Sequence, residues 1–198
     1  APSLIWNEPI MSSKEERKNI KRKIQSFDLE IVGFHALLFT RKDLKLFYSQ
    51  ESRKDTKNYL RRLLELCSDL GGKQIIFGSP ANRKIYNRKY RDCLDQSVED
   101  FYSLAEHART NNVIICIEPL SRKETEFIQS TQEGIELVNR INHPNFKLHI
   151  DTKSIFNNEE DVNSIIPNCE NLLQHVHVGD VELKEPGTIN YNHRKIGQ

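Results

Sequence analysis

No stretch of this chain approaches the roughly 20 consecutive apolar residues needed to span a bilayer, and its N-terminus lacks the layout of a signal peptide. Neither sign of charge dominates, with 29 Lys and Arg against 28 Asp and Glu. That balance gives no support to a nucleic-acid partner or an anionic membrane surface. Cysteine is sparse and scattered: Cys67, Cys93, Cys116 and Cys169 share no Cys-x-x-Cys spacing. They read as reduced thiols of a cytoplasmic protein, packed as small apolar groups. A glycine-rich phosphate loop is also missing. Gly71-Gly72 precedes its strand, the wrong side for a dinucleotide fold. With no linker, repeat or low-complexity segment, the 198 residues read as one domain, 1–198.

What is present is an alternation of helices and strands. Ser13 and Glu16 form a capping box that opens a helix through Ile20, Ile24 and Phe27. The basic residues on that helix read as a solvated face. Residues 30–39, EIVGFHALLF, read as a strand. A helix over about 54–70 presents Leu60, Leu63, Leu64, Cys67 and Leu70 on one face and stops at Gly71-Gly72. QIIFG at 74–78 is a buried strand, and a long helix follows over about 88–110. Next come a strand at 113–118, a helix opened by Ser130 and Glu133, and a strand at 146–151. Asn157 or Asn158 is the expected cap of a short helix through Val162 and Ile166. A last strand covers 172–178, and 179–198 reads as loop. Strands alternating with helices imply parallel β-α units. An open doubly wound sheet and a closed (β/α)8 barrel both fit that pattern.

Three strand ends decide between them. The strands at 113–118, 146–151 and 172–178 end in or beside Glu118, Asp151 and His177. Two carboxylates and an imidazole at equivalent positions form a metal-site constellation. They favour the barrel, whose active sites lie on the rim at the C-terminal ends of the strands. Residues two apart on a strand share a face, so Cys116/Glu118, His149/Asp151 and His175/His177 each point inward. The second member of each pair lies nearer the mouth. Cys116, His149 and His175 fall one layer deeper, as packing or supporting groups; the two histidines read as hydrogen-bonded core residues.

The segment IEPLSRKETEFIQSTQEGIELVNRINHPNFKLHIDTKS, followed by HVHVGDVELKEPG, resembles the sugar phosphate isomerase/epimerase family with the xylose-isomerase-like TIM barrel. VGFHALLF and IIFGSPANR resemble its earlier strands. The resemblance implies a (β/α)8 TIM barrel, incomplete at both ends in this chain. A complete barrel runs to about 250 residues. It assigns Glu118, Asp151 and His177 as three of the family's four metal ligands, the fourth being a glutamate on the last strand with no candidate here. It further implies that Glu124, His35 and Lys184 contact substrate. One departure is plain. Where the family's epimerases carry a histidine three residues after the strand-end aspartate, this chain has Ser154.

An oxygen-rich ligand set suits Mn2+ or Mg2+, with Co2+ or Zn2+ also accommodated. By the resemblance, the metal stabilises an enediolate while Glu118 moves a proton. The implied activity is metal-dependent isomerisation or epimerisation of a sugar or sugar phosphate. The alternatives are a polyol or keto-acid dehydratase on the same site, and a non-catalytic sugar-binding barrel. The partner is a small sugar; neither nucleic acid nor membrane is implied, and self-association is left open.

Overall fold

The computed structural model describes residues 1–183, 191–194, 196 and 197. The first helix, α1 (Lys14–Gln25), starts as its capping box requires: Glu16 N–H donates to Ser13 Oγ, and Ser13 N–H donates to Glu16 Oε2. The expected apolar stripe docks only in part. Ile20 packs against the core, but Phe27 lies beyond the helix and is 67% exposed. The buried residue of α1 is Arg17, whose Nη1 donates to Asp69 Oδ2 at 2.8 Å.

The strand expected over 30–39 shrinks to β1 (Gly33–Phe34). Ala36 takes a left-handed φ of 52° and turns the chain away from the sheet. The apolar run continues instead as a packed loop, with Leu37, Leu38, Leu44, Leu46 and Phe47 buried against the core. Helix α2 (Gln50–Leu70) follows, capped by Ser49 and closed by Gly71 at φ 91°. Its predicted apolar face is buried throughout. The chain then runs through β2 (Gln74–Phe77), α3 (Tyr90–Thr110), β3 (Ile114–Ile117) and α4 (Thr131–Ile141). Strand β4 (Phe146–Asp151) leads directly into α5 (Thr152–Asn158), then α6 (Val162–Cys169) and β5 (Leu173–His177). Asn157 and Asn158 finish α5 rather than cap the next helix; Asp161 caps α6 by accepting from Asn163 N–H at 3.1 Å.

The segment after residue 178 is not the plain loop expected. β6 (Asp180–Leu183) pairs antiparallel with β7 (Tyr191–Arg194) and lies against α5. These strands are short and polar, so they carry no apolar alternation to mark them.

β1 to β5 form one parallel sheet whose spatial order is the chain order. A doubly wound sheet reverses direction at a switch point; a barrel does not. The sheet is rolled: Gln174 Nε2 on β5 reaches Gln74 Oε1 on β2 at 3.3 Å, with two strands between them. Ile75, Phe77, Ile115, Ile117, Leu148 and Ile150 join the core that packs the helices. Ile76, Cys116 and His149 alternate with them, are buried, and lie outside that core, on the inner face. Among the described residues, no helix is long and apolar enough to cross a membrane.

Candidate metal centre

Glu118 and Asp151 lie two residues beyond Cys116 and His149, so they share the inner face at the strand ends. His177 reaches that face through an irregularity. Leu148 pairs with Leu173, but His149 pairs with His175, so β5 carries one extra residue, Gln174, against β4. The bulge reverses the facing of β5 midway. Leu173 packs toward the helix-side core, whereas His175 and His177 turn inward beside His149 and Asp151.

Four side chains converge there. His177 Nδ1 lies 3.6 Å from Asp151 Oδ2 and 3.9 Å from Glu118 Oε1. His149 Nε2 lies 3.1 Å from His177 Nδ1 and 3.5 Å from Glu118 Oε1. All four residues offer a donor atom within 4.8 Å of the others. Donors bound tetrahedrally at about 2.1 Å are about 3.4 Å apart, so this donor set fits a divalent ion. Donation from the His177 ring to the Asp151 carboxylate, aided by the charge of Glu118, holds the His177 imidazole above its usual pKa.

Neighbouring residues hold these groups in place. Gly78, just past β2, leaves room for Glu118; a methyl built on it would collide with Glu118 Oε2. Arg83 is wholly buried. Its Nη1 donates to the Glu118 carbonyl at 2.9 Å and its Nε to Thr125 Oγ1 at 3.2 Å. Burial pushes the Arg83 guanidinium down to about 10, so it stays protonated at neutral pH. Asp151 caps α5, its Oδ1 accepting from Lys153 N–H at 2.8 Å.

A cavity of about 590 Å³ opens over the centre, lined by Glu118, Asp151 and His177 together with His35, Glu124 and Ser154. His35 contacts His177 edge to face at 5.7 Å, and burial lowers its pKa. Glu124 accepts from Ser121 Oγ and from Lys153 Nζ, both at 2.7 Å. Burial pushes its carboxyl up, but these bonds outweigh it and leave it below the usual range. Thus five of the six sequence-predicted residues meet at one cavity, and Lys184 lies outside the described residues. Cys116 is fully buried as expected. Sequence reasoning missed Arg83 and Lys153, which carry no motif, and did not foresee how closely His149 approaches Glu118.

The chain matches a family model described as xylose isomerase-like TIM barrel over residues 5–198. It is 30% identical over 158 residues to a D-psicose 3-epimerase of Ruminiclostridium cellulolyticum, covering 80% of this chain and 51% of that protein. The solved structure of a D-psicose 3-epimerase in the presence of D-fructose superposes with a TM-score of 0.75 at 20% identity, covering 90% of this chain and 63% of that one. The structure of the IOLI protein with a bound zinc atom gives a TM-score of 0.70 at 15% identity, covering 86% and 59%. The two structural likenesses concern the fold. The chain spans about half the length of the D-psicose 3-epimerase it matches in sequence. A parallel sheet in barrel order, with the family model matched along nearly the whole chain, places this protein in the xylose isomerase-like TIM barrel family.

Proposed function

We propose that this chain carries the metal-dependent site of a ketose epimerase or isomerase. The observation that supports this most is the convergence of Glu118, Asp151 and His177 on one face of a sugar-sized cavity. Glu118, Asp151 and His177 would hold a divalent ion, Mn2+ or Mg2+ in the first instance. Bound there, the ion supplies Lewis-acid polarisation of the sugar's carbonyl and hydroxyl oxygens.

The chain's own residues do the rest. Glu118 takes the proton from the carbon beside the substrate carbonyl, leaving an enediolate of the sugar. Inversion needs a proton returned to the opposite face of that carbon by a second donor, such as solvent water, because Glu118 lies on the first face; return of the proton by Glu118 to the neighbouring carbon isomerises. Glu124, held by Lys153 and Ser121, accepts hydrogen bonds from substrate hydroxyls. His35 and Ser154 complete the polar wall, and Leu120 and Val176 give the apolar part of the lining. A phosphorylated sugar is a second reading, in which the Lys153 ammonium on the cavity wall exchanges its ion pair with Glu124 for the phosphate.

The test is exchange in deuterated water. Incubation of metal-loaded protein with candidate ketoses should place deuterium at the carbon beside the carbonyl, and Glu118→Gln should abolish it. Epimer formation without solvent exchange would overturn the proton-transfer scheme. Faster exchange with phosphorylated ketoses would select the second reading.

A further inference from the structure

His149 is a fully buried histidine that the three-ligand reading leaves without a task. Both of its ring nitrogens are engaged. Nε2 faces the site, 3.1 Å from His177 Nδ1 and 3.5 Å from Glu118 Oε1. Nδ1 faces away from it, 3.2 Å from His175 Nδ1. The His149 and His175 rings stack with centroids 5.2 Å apart and an interplanar angle of 29°. The parallel register places His149 beside His175, and Asp151 beside His177. Four residues thus occupy two rungs: the upper rung faces the cavity, and in the lower rung His149 is fully buried while His175 is partly exposed.

We infer that His149 is a direct metal ligand through Nε2, with His175 as the residue that orients it, so that the donor set is Glu118, Asp151, His149 and His177. This inference rests on the proposed metal site. Two separate observations carry it. The spacings of His149 Nε2 from its neighbours bracket the roughly 3.4 Å edge of a tetrahedral set. In addition, a metal-ligating histidine nearly always engages its second ring nitrogen with a fixed partner, which sets the tautomer. His175 stands where that partner belongs.

The inference changes the chemistry expected of the ion. Three ligands with two carboxylates suit Mg2+ or Mn2+, whereas two imidazoles with two carboxylates move the preference toward Zn2+ or Co2+. A four-residue set also engages more of the ion's coordination positions than a three-residue set, leaving fewer for substrate oxygens. Mg2+, which dehydrates reluctantly and binds few protein ligands, fits such a set poorly.

The experiment is titration of the metal-free chain with Zn2+, Mg2+ and Co2+, with the visible spectrum of bound Co2+ recorded alongside. Wild type, Asp151→Asn, His149→Gln and His175→Ala are compared. His149→Gln keeps much of the buried volume, and circular dichroism of the metal-free variants checks that they fold. Wild type should bind about one Zn2+, more tightly than Mg2+, and Asp151→Asn should lose it. His149→Gln should weaken Zn2+ by at least about 100-fold and shift the Co2+ bands. His175→Ala should weaken Zn2+ by roughly 10–100-fold, as orienting partners do. If His149→Gln does not fold, the decision passes to His175→Ala: unchanged Zn2+ affinity there overturns the inference. Wild-type affinity and an unchanged Co2+ spectrum in folded His149→Gln overturn it while the Asp151-dependent site stands. No Zn2+ uptake by wild type, or equal uptake by wild type and Asp151→Asn, overturns the proposed site and this inference with it.

Discussion

The wholly buried guanidinium of Arg83 donates to the backbone carbonyl of Glu118 at 2.9 Å. A second bond ties it to Thr125, so one side chain fastens both ends of the loop that carries Glu118 and Glu124 to the cavity. Arg83→Met deletes a buried cation with its charge-assisted hydrogen bonds and strands the carbonyl. It should cost about 2–4 kcal/mol of stability, read from urea unfolding. It should also weaken metal uptake. Unchanged stability would show that the loop holds itself.

Gly78→Ala probes the same carboxylate from the opposite side. The added methyl meets Glu118 Oε2, and the facing side chain must give way. If Glu118 holds the ion as proposed, the expected outcome is a folded protein with metal affinity reduced by at least about tenfold, equivalent to about 1.4 kcal/mol. Elemental analysis after dialysis, beside circular dichroism, checks it.

Asp100 offers a test remote from the site. Its side chain is 1% exposed and accepts from Arg53 Nε at 2.8 Å and Lys57 Nζ at 2.7 Å, joining α3 to α2. Asp100→Ala leaves two half-buried cations without their shared partner. The expected loss is about 3–5 kcal/mol by denaturant titration, with metal affinity of the folded fraction unchanged.

Cys67 gives a pH dependence of known sign. Burial pushes its thiol up to about 12, from 9.0. An acid whose pKa is raised by folding keeps its proton in the native state while the unfolded chain loses it. Stability from this group is therefore complete below pH 9 and falls as pH rises toward 12. Between pH 9 and 10 wild type should lose about 1 kcal/mol more than Cys67→Ala, because one pKa unit is worth 1.36 kcal/mol. Parallel losses in the two proteins would refute it.

Much of the site was legible because strand ends in a barrel have equivalent positions. Glu118 and Asp151 each follow a buried inward residue by two, and that spacing alone aimed them at the same face. His177 obeys the rule only because of the bulge at Gln174, which no residue in the string announces. Residues 37–39 misled for a different reason. A loop that buries Leu37 and Leu38 has the composition of a strand, and only the left-handed turn at Ala36 separates the two. Arg83 and Lys153 were invisible because their partners lie 29 or more positions away, beyond the reach of any local spacing rule. The short helix α6 was found, but its cap moved to Asp161, since Asn157 and Asn158 were already spent on ending α5.

Asp151 splits its two oxygens between two tasks. Oδ1 receives the amide of Lys153 and begins α5, while Oδ2 faces His177. The onset of that helix and the balance of charge in the centre therefore share one carboxylate and fluctuate together. The Lys153 amide proton becomes a natural reporter: on the proposed metal site, its exchange with solvent should slow when Oδ2 is held by an ion and quicken when the ion is removed. An observer following that single backbone resonance would then read occupancy of the centre without watching the ion itself.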